Sequence, residues 1–136
     1  MSIFKLHKKI FSKIYMPLPY ITEIKTVNDF RECLENNPGV FIIKFGADWC
    51  QPCKMIEKDV LNYFAKMPNT IQCAMIDVDD SIELYGFLKK RKMVGGIPCI
   101  LAYFKGNVEV IPDEFVSGTD KKQLEYFFNA CLQEVA

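Results

Sequence analysis

Residues 40–45 constrain the fold of this chain more than any other segment. They read Val-Phe-Ile-Ile-Lys-Phe, which is apolar at every position except Lys44. A strand with one solvated face alternates apolar and polar residues, whereas a strand buried on both faces is apolar along its length. The segment therefore predicts a central strand in a sheet covered by helices on both faces, which is an α/β architecture.

Helix and strand patterns alternate on either side of this strand. Thr26 and Asp29 form a capping-box pattern that opens a helix running toward Glu35. The remaining patterns predict an extended run over 20–24, helices over 50–66, 79–91 and 120–134, strands over 70–78, 97–104 and 108–111, and a hairpin turn at 105–107. The order βαβαββα, behind an N-terminal helix, predicts a mixed central sheet because a terminal hairpin follows alternating elements.

The first 19 residues differ in charge from the rest of the chain. They carry four lysines and no acid, and apolar residues recur among the lysines at helical spacing. We predict a basic amphipathic helix over 3–15, which either packs against the domain or a partner, or contacts a membrane surface as an interfacial or targeting segment. Residues 20–136 are expected to form one domain, since 136 residues are too few for two good cores.

The charge balance bears on the kind of partner. The chain has 17 basic and 17 acidic residues, and without the four leader lysines 13 basic residues face 17 acidic ones. Nucleic-acid binding needs Lys and Arg clustered on a folded face, so nucleic acid is not the expected partner. The sequence shows no secretory signal pattern and no run near the ~20 apolar residues of a membrane span. We therefore expect the protein in the cytoplasm or another reducing intracellular compartment.

Two of the six cysteines, Cys50 and Cys53, lie where the central strand ends and the next helix begins. The free amides and the dipole at a helix N-terminus stabilise an anion, so the pKa of the first thiol is expected to fall. Cys50 should face outward at the cap and attack a disulfide, and Cys53, one turn later, should resolve the mixed disulfide. Pro52 suits the first helical turn, where no amide donor is lost.

The cysteines also admit other interpretations. A structural zinc site needs further ligands, and the sequence offers neither a second CxxC pair nor a pair of histidines. Cys50, Cys53 and Cys99 together would suit a soft metal or an iron–sulfur cluster shared between two subunits. The other thiols occur in apolar contexts and are expected to pack as small buried residues: Cys33, Cys73 and Cys131.

The dithiol lies in a motif that resembles one known family. Residues 49–54, Trp-Cys-Gln-Pro-Cys-Lys, resemble the WCGPCK motif of the thioredoxin family, and residues 96–98, Gly-Ile-Pro, resemble the segment that carries its cis-proline. The resemblance covers roughly residues 20–134. It implies a thioredoxin fold and a dithiol that needs no bound cofactor, and we predict no metal site. It also implies that Ile97 and Pro98 contact the substrate, and Trp49, adjacent to Cys50, is expected to share that surface.

Several positions depart from the family pattern. Lys44 stands where the pattern has a buried acid that relays protons for the resolving thiol, and Met75 stands near the place of its partner lysine. Lys44 is expected to modulate the dithiol, either by favouring the thiolate if charged or by acting as a base if neutral. Gln51 replaces a glycine and, with Pro52, is expected to influence the redox potential. Cys99 replaces a threonine after the cis-proline and either fills the core or brings a third thiol near the pair.

Further departures concern the surface around the dithiol. Gly46 stands where many family members carry an aromatic residue, which predicts a more open surface beside Trp49. Residues 89–95 and 111–115 resemble local insertions and are expected to enlarge the substrate-facing rim.

The sequence therefore predicts a protein-disulfide reductase that takes electrons from a thioredoxin-reductase-like donor and passes them to protein disulfides. A disulfide oxidase or isomerase is the second enzymatic interpretation, because Gln51 and Lys44 would support it by stabilising the thiolate. A third interpretation is a binding module that keeps the fold and the dithiol but acts by docking a partner protein.

Overall fold

The computed structural model describes residues 16–136, so the helix predicted over 3–15 lies outside the described residues. The elements, in chain order, are α1 (Val27–Glu35), β1 (Val40–Gly46), α2 (Gln51–Ala65), β2 (Ile71–Asp77), α3 (Ile82–Lys90), β3 (Cys99–Phe104), β4 (Glu114–Ser117) and α4 (Lys121–Glu134). A short 3₁₀ turn, Val78–Asp80, lies between β2 and α3.

The strands form one mixed sheet in the order β2-β1-β3-β4. β1 is parallel to β2 and antiparallel to β3, and β3 is antiparallel to β4. All seven residues of β1 are buried, because a strand lies on each side of β1 and helices cover both faces. The mixed sheet and the buried central strand predicted from residues 40–45 are confirmed.

The two faces of the sheet bury separate apolar layers. Val40 and Ile42 of β1 pack against α2 and α4 on one face. Phe41 and Ile43 pack against α1 and α3 on the other. This alternation follows from the two-residue period of a strand, which points successive side chains to opposite faces. The predicted α/β architecture therefore holds, with apolar burial on both sides as its main stabilising contribution.

The extended run over 20–24 adds a single bridge to the edge of the sheet. Ile21 pairs with Ala74 of β2. The Ile21 amide donates to the Cys73 carbonyl at 2.9 Å, and the Ile21 carbonyl accepts from the Met75 amide at 2.8 Å. These two hydrogen bonds cover part of the outer edge of β2, beside which no further strand lies within residues 16–136.

The last strand lies later in the chain than the sequence predicted. A turn does follow β3, since the Asn107 amide donates to the carbonyl of the last β3 residue at 3.0 Å. Residues 108–111, predicted as a strand, instead form a loop held by the Asn107 side chain, which donates to the Ile111 carbonyl at 3.0 Å and to the Asp113 carboxylate at 2.9 Å. Such local bonds compete with strand pairing, so pairing with β3 begins only at Glu114.

The helix predicted over 79–91 is shorter and begins at Ile82. Ser81 interrupts the pattern, because its backbone at φ −138° and ψ 44° lies outside the helical region. Its hydroxyl is buried and donates to the Ile24 carbonyl at 2.6 Å. A bond across the fold therefore fixes the break between the 3₁₀ turn and α3.

The register of the sheet decides which loops lie near the cysteines. Val40, at the start of β1, pairs with Phe104, at the end of β3. The loop after β3 therefore lies at the end of the sheet where β1 begins, whereas Cys50 follows the opposite end of β1. The expectation that residues 111–115 enlarge the substrate-facing rim is wrong. Residues 89–95 precede β3 and lie toward the end that holds Cys50.

Gly39 allows two segments to approach closely just before β1. A Cβ there would lie 2.6 Å from the Thr70 carbonyl oxygen and 2.9 Å from a methyl group of Val135, so a side chain does not fit. We expect Gly39→Ala to lower the free energy of unfolding by about 2 kcal/mol. Urea unfolding measures the change.

The matched control for this variant is Gly86→Ala, on the exposed side of α3. A Cβ at Gly86 meets nothing within 4 Å, and alanine favours a helix interior over glycine. We expect Gly86→Ala to raise the free energy of unfolding by about 0.5–1 kcal/mol. A Gly39→Ala protein as stable as the unmodified chain would contradict the close approach described here.

Candidate active site

The loop between β1 and α2 presents two cysteines at the N-terminus of a helix. Cys50 is the N-cap of α2, and its sulfur accepts a hydrogen bond from the Cys53 amide at 3.3 Å. The two sulfurs form a disulfide, with Cα atoms 5.3 Å apart. Gln51 and Pro52 lie between them in the first turn of α2, and both are exposed. The two residues expected to influence the redox potential therefore face solvent beside the disulfide.

Cys50 is more buried than the sequence predicted. Its exposed fraction is 5%, against 3% for Cys53. Its sulfur lies 3.9 Å from the Ile97 carbonyl oxygen, because the loop before β3 packs over the start of α2. The prediction that Cys50 faces outward is wrong for the disulfide form, and a partner's sulfur must approach Cys50 beside this loop.

The loop before β3 is the second feature of the site. The Ile97–Pro98 peptide bond is cis, Pro98 is buried and Ile97 is half-buried. The Pro98 carbonyl accepts a hydrogen bond from the Gly118 amide at 3.1 Å, which ties the loop to the end of β4. Gly118 adopts φ +85°, a conformation that favours glycine. Gly118 therefore supports the site, a role that the sequence prediction did not include.

Trp49 lies next to Cys50 and is 68% exposed. Its indole Nε1 donates a hydrogen bond to the Asp79 carboxylate at 2.8 Å. The predicted site omitted Asp79, although the sequence carries a signal for this contact. Trp49 follows β1 and Asp79 follows β2, and segments that follow parallel strands emerge at the same end of the sheet.

Lys44 is a charged residue within the buried strand β1, and its exposed fraction is 3%. It pairs with Met75 in the parallel register, so no acid lies opposite it on β2. Lys44 lines a cleft of 160 Å³ together with Cys53, Glu57 and Asp77. The structure thus places Lys44, predicted to modulate the dithiol, beside Cys53.

The amine of Lys44 and the sulfur of Cys53 both border Gly46. A Cβ at Gly46 would lie 3.3 Å from the Lys44 Nζ and 3.4 Å from the Cys53 Sγ. A larger residue at this position would crowd both groups. The space that the glycine leaves therefore lies beside Lys44 and Cys53.

Burial lowers the pKa of Lys44 from its ordinary value, because removal from water disfavours the charged amine. The carboxylate of Glu57 and the thiol of Cys99 oppose part of this shift by favouring the cation. Within residues 16–136, no carboxylate lies within 4.0 Å of the Lys44 Nζ. Lys44 is therefore a buried amine whose charge no close ion pair fixes.

Cys99 does not join the disulfide pair. It is 1% exposed and packs with Phe45, Leu101 and Tyr103 on the sheet face covered by α1 and α3. Burial raises the pKa of the Cys99 thiol to about 12, and Lys44 offsets part of that shift. The core-filling interpretation of Cys99 therefore fits its position better than a reactive third thiol.

The remaining cysteines lie away from the site. Cys73 and Cys131 are buried in the core, as predicted, and burial raises the pKa of both thiols. Cys33 is only half-buried. Its pKa is raised by burial and by the carboxylates of Asp29 and Glu32.

Two further features are absent from the described part of the chain, a metal-binding cluster and a membrane-spanning helix. Across residues 16–136, no group of three or more His, Cys, Asp or Glu side chains is arranged to hold a metal ion. None of the helices in the same range combines the length and the apolar character needed to cross a membrane.

The fold and the site together define a class of dithiol proteins: a mixed sheet with helices on both faces, a cysteine pair at a helix N-terminus and a cis-proline loop beside it. The family model for thioredoxin matches residues 21–130. The chain therefore belongs to the thioredoxin family.

Individual relatives agree with this family. Mitochondrial thioredoxin from Bos taurus is 31% identical over 104 residues, which are 76% of this chain and 58% of that protein. Thioredoxin from Oryctolagus cuniculus is 28% identical over 113 residues, which are 82% of this chain and 99% of that protein. The solved structure of thioredoxin from Trypanosoma brucei brucei has a TM-score of 0.66 at 20% identity and covers 85% of this chain and 92% of that one. The chain thus spans 58% of the length of the mitochondrial thioredoxins that it matches.

Replacement of Lys44 by methionine tests the cost of the buried amine. The pKa of Lys44 is lower in the folded protein than in the unfolded chain, so protonation opposes folding at neutral pH. We expect Lys44→Met to raise the free energy of unfolding by about 1 kcal/mol at neutral pH. This increase in the free energy of unfolding should become smaller as the pH rises from the pKa of Lys44 in the folded protein toward 10.5. Above 10.5 the amine is neutral in both the folded and the unfolded state.

Urea unfolding at neutral pH and near the ordinary lysine pKa measures both effects. Lys58→Met is the matched control, because Lys58 is exposed on α2 and its replacement should leave the stability within about 0.5 kcal/mol. A Lys44→Met stabilisation of equal size at both pH values would show that packing, and not the buried charge, is its cause.

Proposed function

We propose that the protein is a thiol–disulfide oxidoreductase that reduces disulfide bonds of other proteins through Cys50 and Cys53. The observation that carries the proposal is the position of the pair, a disulfide at the N-cap of α2 beside the cis Ile97–Pro98 loop. Membership of the thioredoxin family supports it. In this proposal residues 20–136 form the catalytic domain and residues 1–19 are an extension.

The first exchange begins from the reduced protein. The free amides at the N-terminus of α2 stabilise the Cys50 thiolate, and the Cys53 amide already donates to that sulfur. The thiolate attacks one sulfur of the substrate disulfide. A bond forms between Cys50 and that sulfur, and the second substrate sulfur leaves with the electron pair and takes a proton from water.

The second exchange releases the substrate. Cys53 loses its proton, and its thiolate attacks the Cys50 sulfur. The Cys50–Cys53 disulfide forms, the bond from Cys50 to the substrate breaks, and the first substrate sulfur leaves with the electron pair and is protonated. The substrate has then gained two electrons and two protons, and the protein is in the disulfide form of this structure.

The substrate is proposed to contact the surface around Cys50. The exposed indole of Trp49 is adjacent to Cys50 in the chain, and the loop of Ile97 and Pro98 contacts the Cys50 sulfur through the Ile97 carbonyl. A disulfide on an extended or flexible segment is able to reach the buried sulfur beside this loop. Protein disulfides are therefore the proposed substrate class.

The Cys50–Cys53 disulfide must be reduced again after each cycle. We propose a thioredoxin-reductase-like donor as the source of electrons, and a reducing intracellular compartment as the setting in which the dithiol form persists. The cycle itself needs no bound cofactor, because both electrons are held by the two sulfurs.

The equilibrium of the Cys50–Cys53 pair with glutathione separates the candidate activities. A reduction potential well below that of glutathione, with rapid reduction of insulin by the dithiol form, would support the reductase. A higher potential would favour a disulfide oxidase or isomerase. Retention of the biological role in a protein with both cysteines replaced by serine would favour a docking module.

Replacement of the resolving cysteine should trap the intermediate. We expect Cys53→Ser to keep the attack by Cys50 and to accumulate a mixed disulfide with a protein substrate, because no second thiol is placed to release it. Turnover should fall by about a thousandfold or more. Mass spectrometry of the trapped complex before and after addition of dithiothreitol measures the bond.

Cys50→Ser is the matched control for this experiment. It should form no mixed disulfide, because Cys53 lines the cleft beside Lys44, whereas Cys50 is the cysteine that contacts the loop of Ile97 and Pro98. A complex of similar yield with Cys50→Ser would reverse the assigned roles of nucleophile and resolving thiol.

A further inference from the structure

Lys44 is a buried titratable group to which the two exchanges above assign no role. We propose that Lys44 acts as the base of the resolving step: its ε-amino group takes up the proton that Cys53 loses before it attacks. This role of Lys44 rests on the proposed function and concerns the second exchange, in which Cys53 attacks Cys50.

The first support is the distance between the two groups. A Cβ at Gly46 would lie 3.3 Å from the Lys44 Nζ and 3.4 Å from the Cys53 Sγ, so both atoms border the same position. The two atoms are therefore within about 7 Å of each other, close enough for a charge on one to affect the pKa of the other when both are buried. A small side-chain movement or one water molecule in the cleft would connect them.

The second support is the cleft that both groups line. It has a volume of 160 Å³ and reaches Lys44 and Cys53. Cys50 lies instead against the Ile97 carbonyl. The cleft therefore serves the resolving thiol, whereas the substrate approaches the nucleophile from the side of the cis-proline loop.

The third support is the freedom of Lys44 to gain and lose a proton. The titratable and charged groups that face it come from each neighbouring segment: Cys53, Lys54 and Glu57 on α2, Asp48 in the loop before α2, Asp77 at the end of β2 and Cys99 on β3. None of the carboxylates in residues 16–136 lies within 4.0 Å of its Nζ. Burial favours the neutral amine, and a thiolate at Cys53 would favour the ammonium.

These conditions link the loss of the Cys53 proton to the attack of the Cys53 sulfur on Cys50. In the mixed disulfide, the proton passes from the Cys53 thiol to the neutral amine of Lys44, which leaves a thiolate beside an ammonium. The thiolate attacks the Cys50 sulfur, and the substrate sulfur leaves with the electron pair of the broken bond. The ammonium then returns its proton through the cleft to water or to the departing thiolate, so the amine is neutral again in the disulfide form.

The resolving step is measured alone by loading Cys50 with a 5-thio-2-nitrobenzoate group. Attack by Cys53 on Cys50 releases the label as a coloured thiolate. Stopped-flow absorbance records the rate of this release across a pH series. Cys33 is half-buried and is replaced by serine in all proteins, so that Cys50 is the thiol that reacts. The comparison uses the full chain with Lys44, Lys44→Met and Lys58→Met.

We expect the protein with Lys44 to release the label faster at neutral pH than Lys44→Met, and over a pH range displaced toward lower pH, because the neighbouring amine takes up the Cys53 proton. Lys44→Met should be about tenfold slower at neutral pH, and its rate should rise about tenfold per pH unit, because Cys53 must then lose its proton to solvent. Lys58→Met should match the protein with Lys44. Circular dichroism verifies that each variant is folded, and Lys44→Gln removes the same basic amine if the methionine variant does not fold.

The results that would overturn the role of Lys44 differ from the result that would overturn the proposed function. Release with the same pH profile for the Lys44 and Lys44→Met proteins would overturn the role of Lys44 and leave the dithiol cycle intact. A Lys58→Met profile displaced as far as that of Lys44→Met would also overturn it. No release at any pH from the protein with Lys44 would instead overturn the assignment of Cys53 as the resolving thiol.

Discussion

The pairing of β1 with a strand on each side is the constraint on which the rest of the structure depends. β1 is parallel to β2 and antiparallel to β3, so its C-terminal end is the place where the ends of β1 and β2 and the start of β3 meet. The Cys50–Cys53 pair, Asp79 and Pro98 come from three separate segments that follow or precede these strands. Their proximity is thus a consequence of strand register and not of any local contact.

Much of this arrangement was predictable from the residues alone. The apolar run of β1 indicated burial on both faces, and two cysteines at the strand–helix junction indicated the site. These predictions succeeded because each depends on a short segment with a strong physical preference. The cis-proline loop was anticipated from resemblance to the thioredoxin family, since the contact of Ile97 with Cys50 joins residues 47 positions apart.

The predictions that failed depended on side-chain bonds and tertiary contacts that the apolar pattern of a segment does not show. Residues 108–111 have the apolar character of a strand, but the side chain of Asn107 satisfies backbone groups locally and delays the pairing to Glu114. Cys50 was predicted to face outward because a cap residue is usually exposed, and the loop that covers it is set by tertiary packing. Asp79 was missed because the signal for its contact with Trp49, their positions after two parallel strands, depends on recognising that β1 and β2 are neighbours.

The hydrogen bond from Trp49 to Asp79 has a consequence for recognition. An exposed aromatic side chain usually samples several rotamers and loses that freedom when a partner covers it. The indole of Trp49 is held by its Nε1 while 68% of its surface stays open to solvent, so most of that entropy is already lost before a partner arrives. The ring of Trp49 is therefore oriented beside Cys50 before any contact is made, and under the proposed function the affinity of a substrate protein would depend on how well its surface fits this ring.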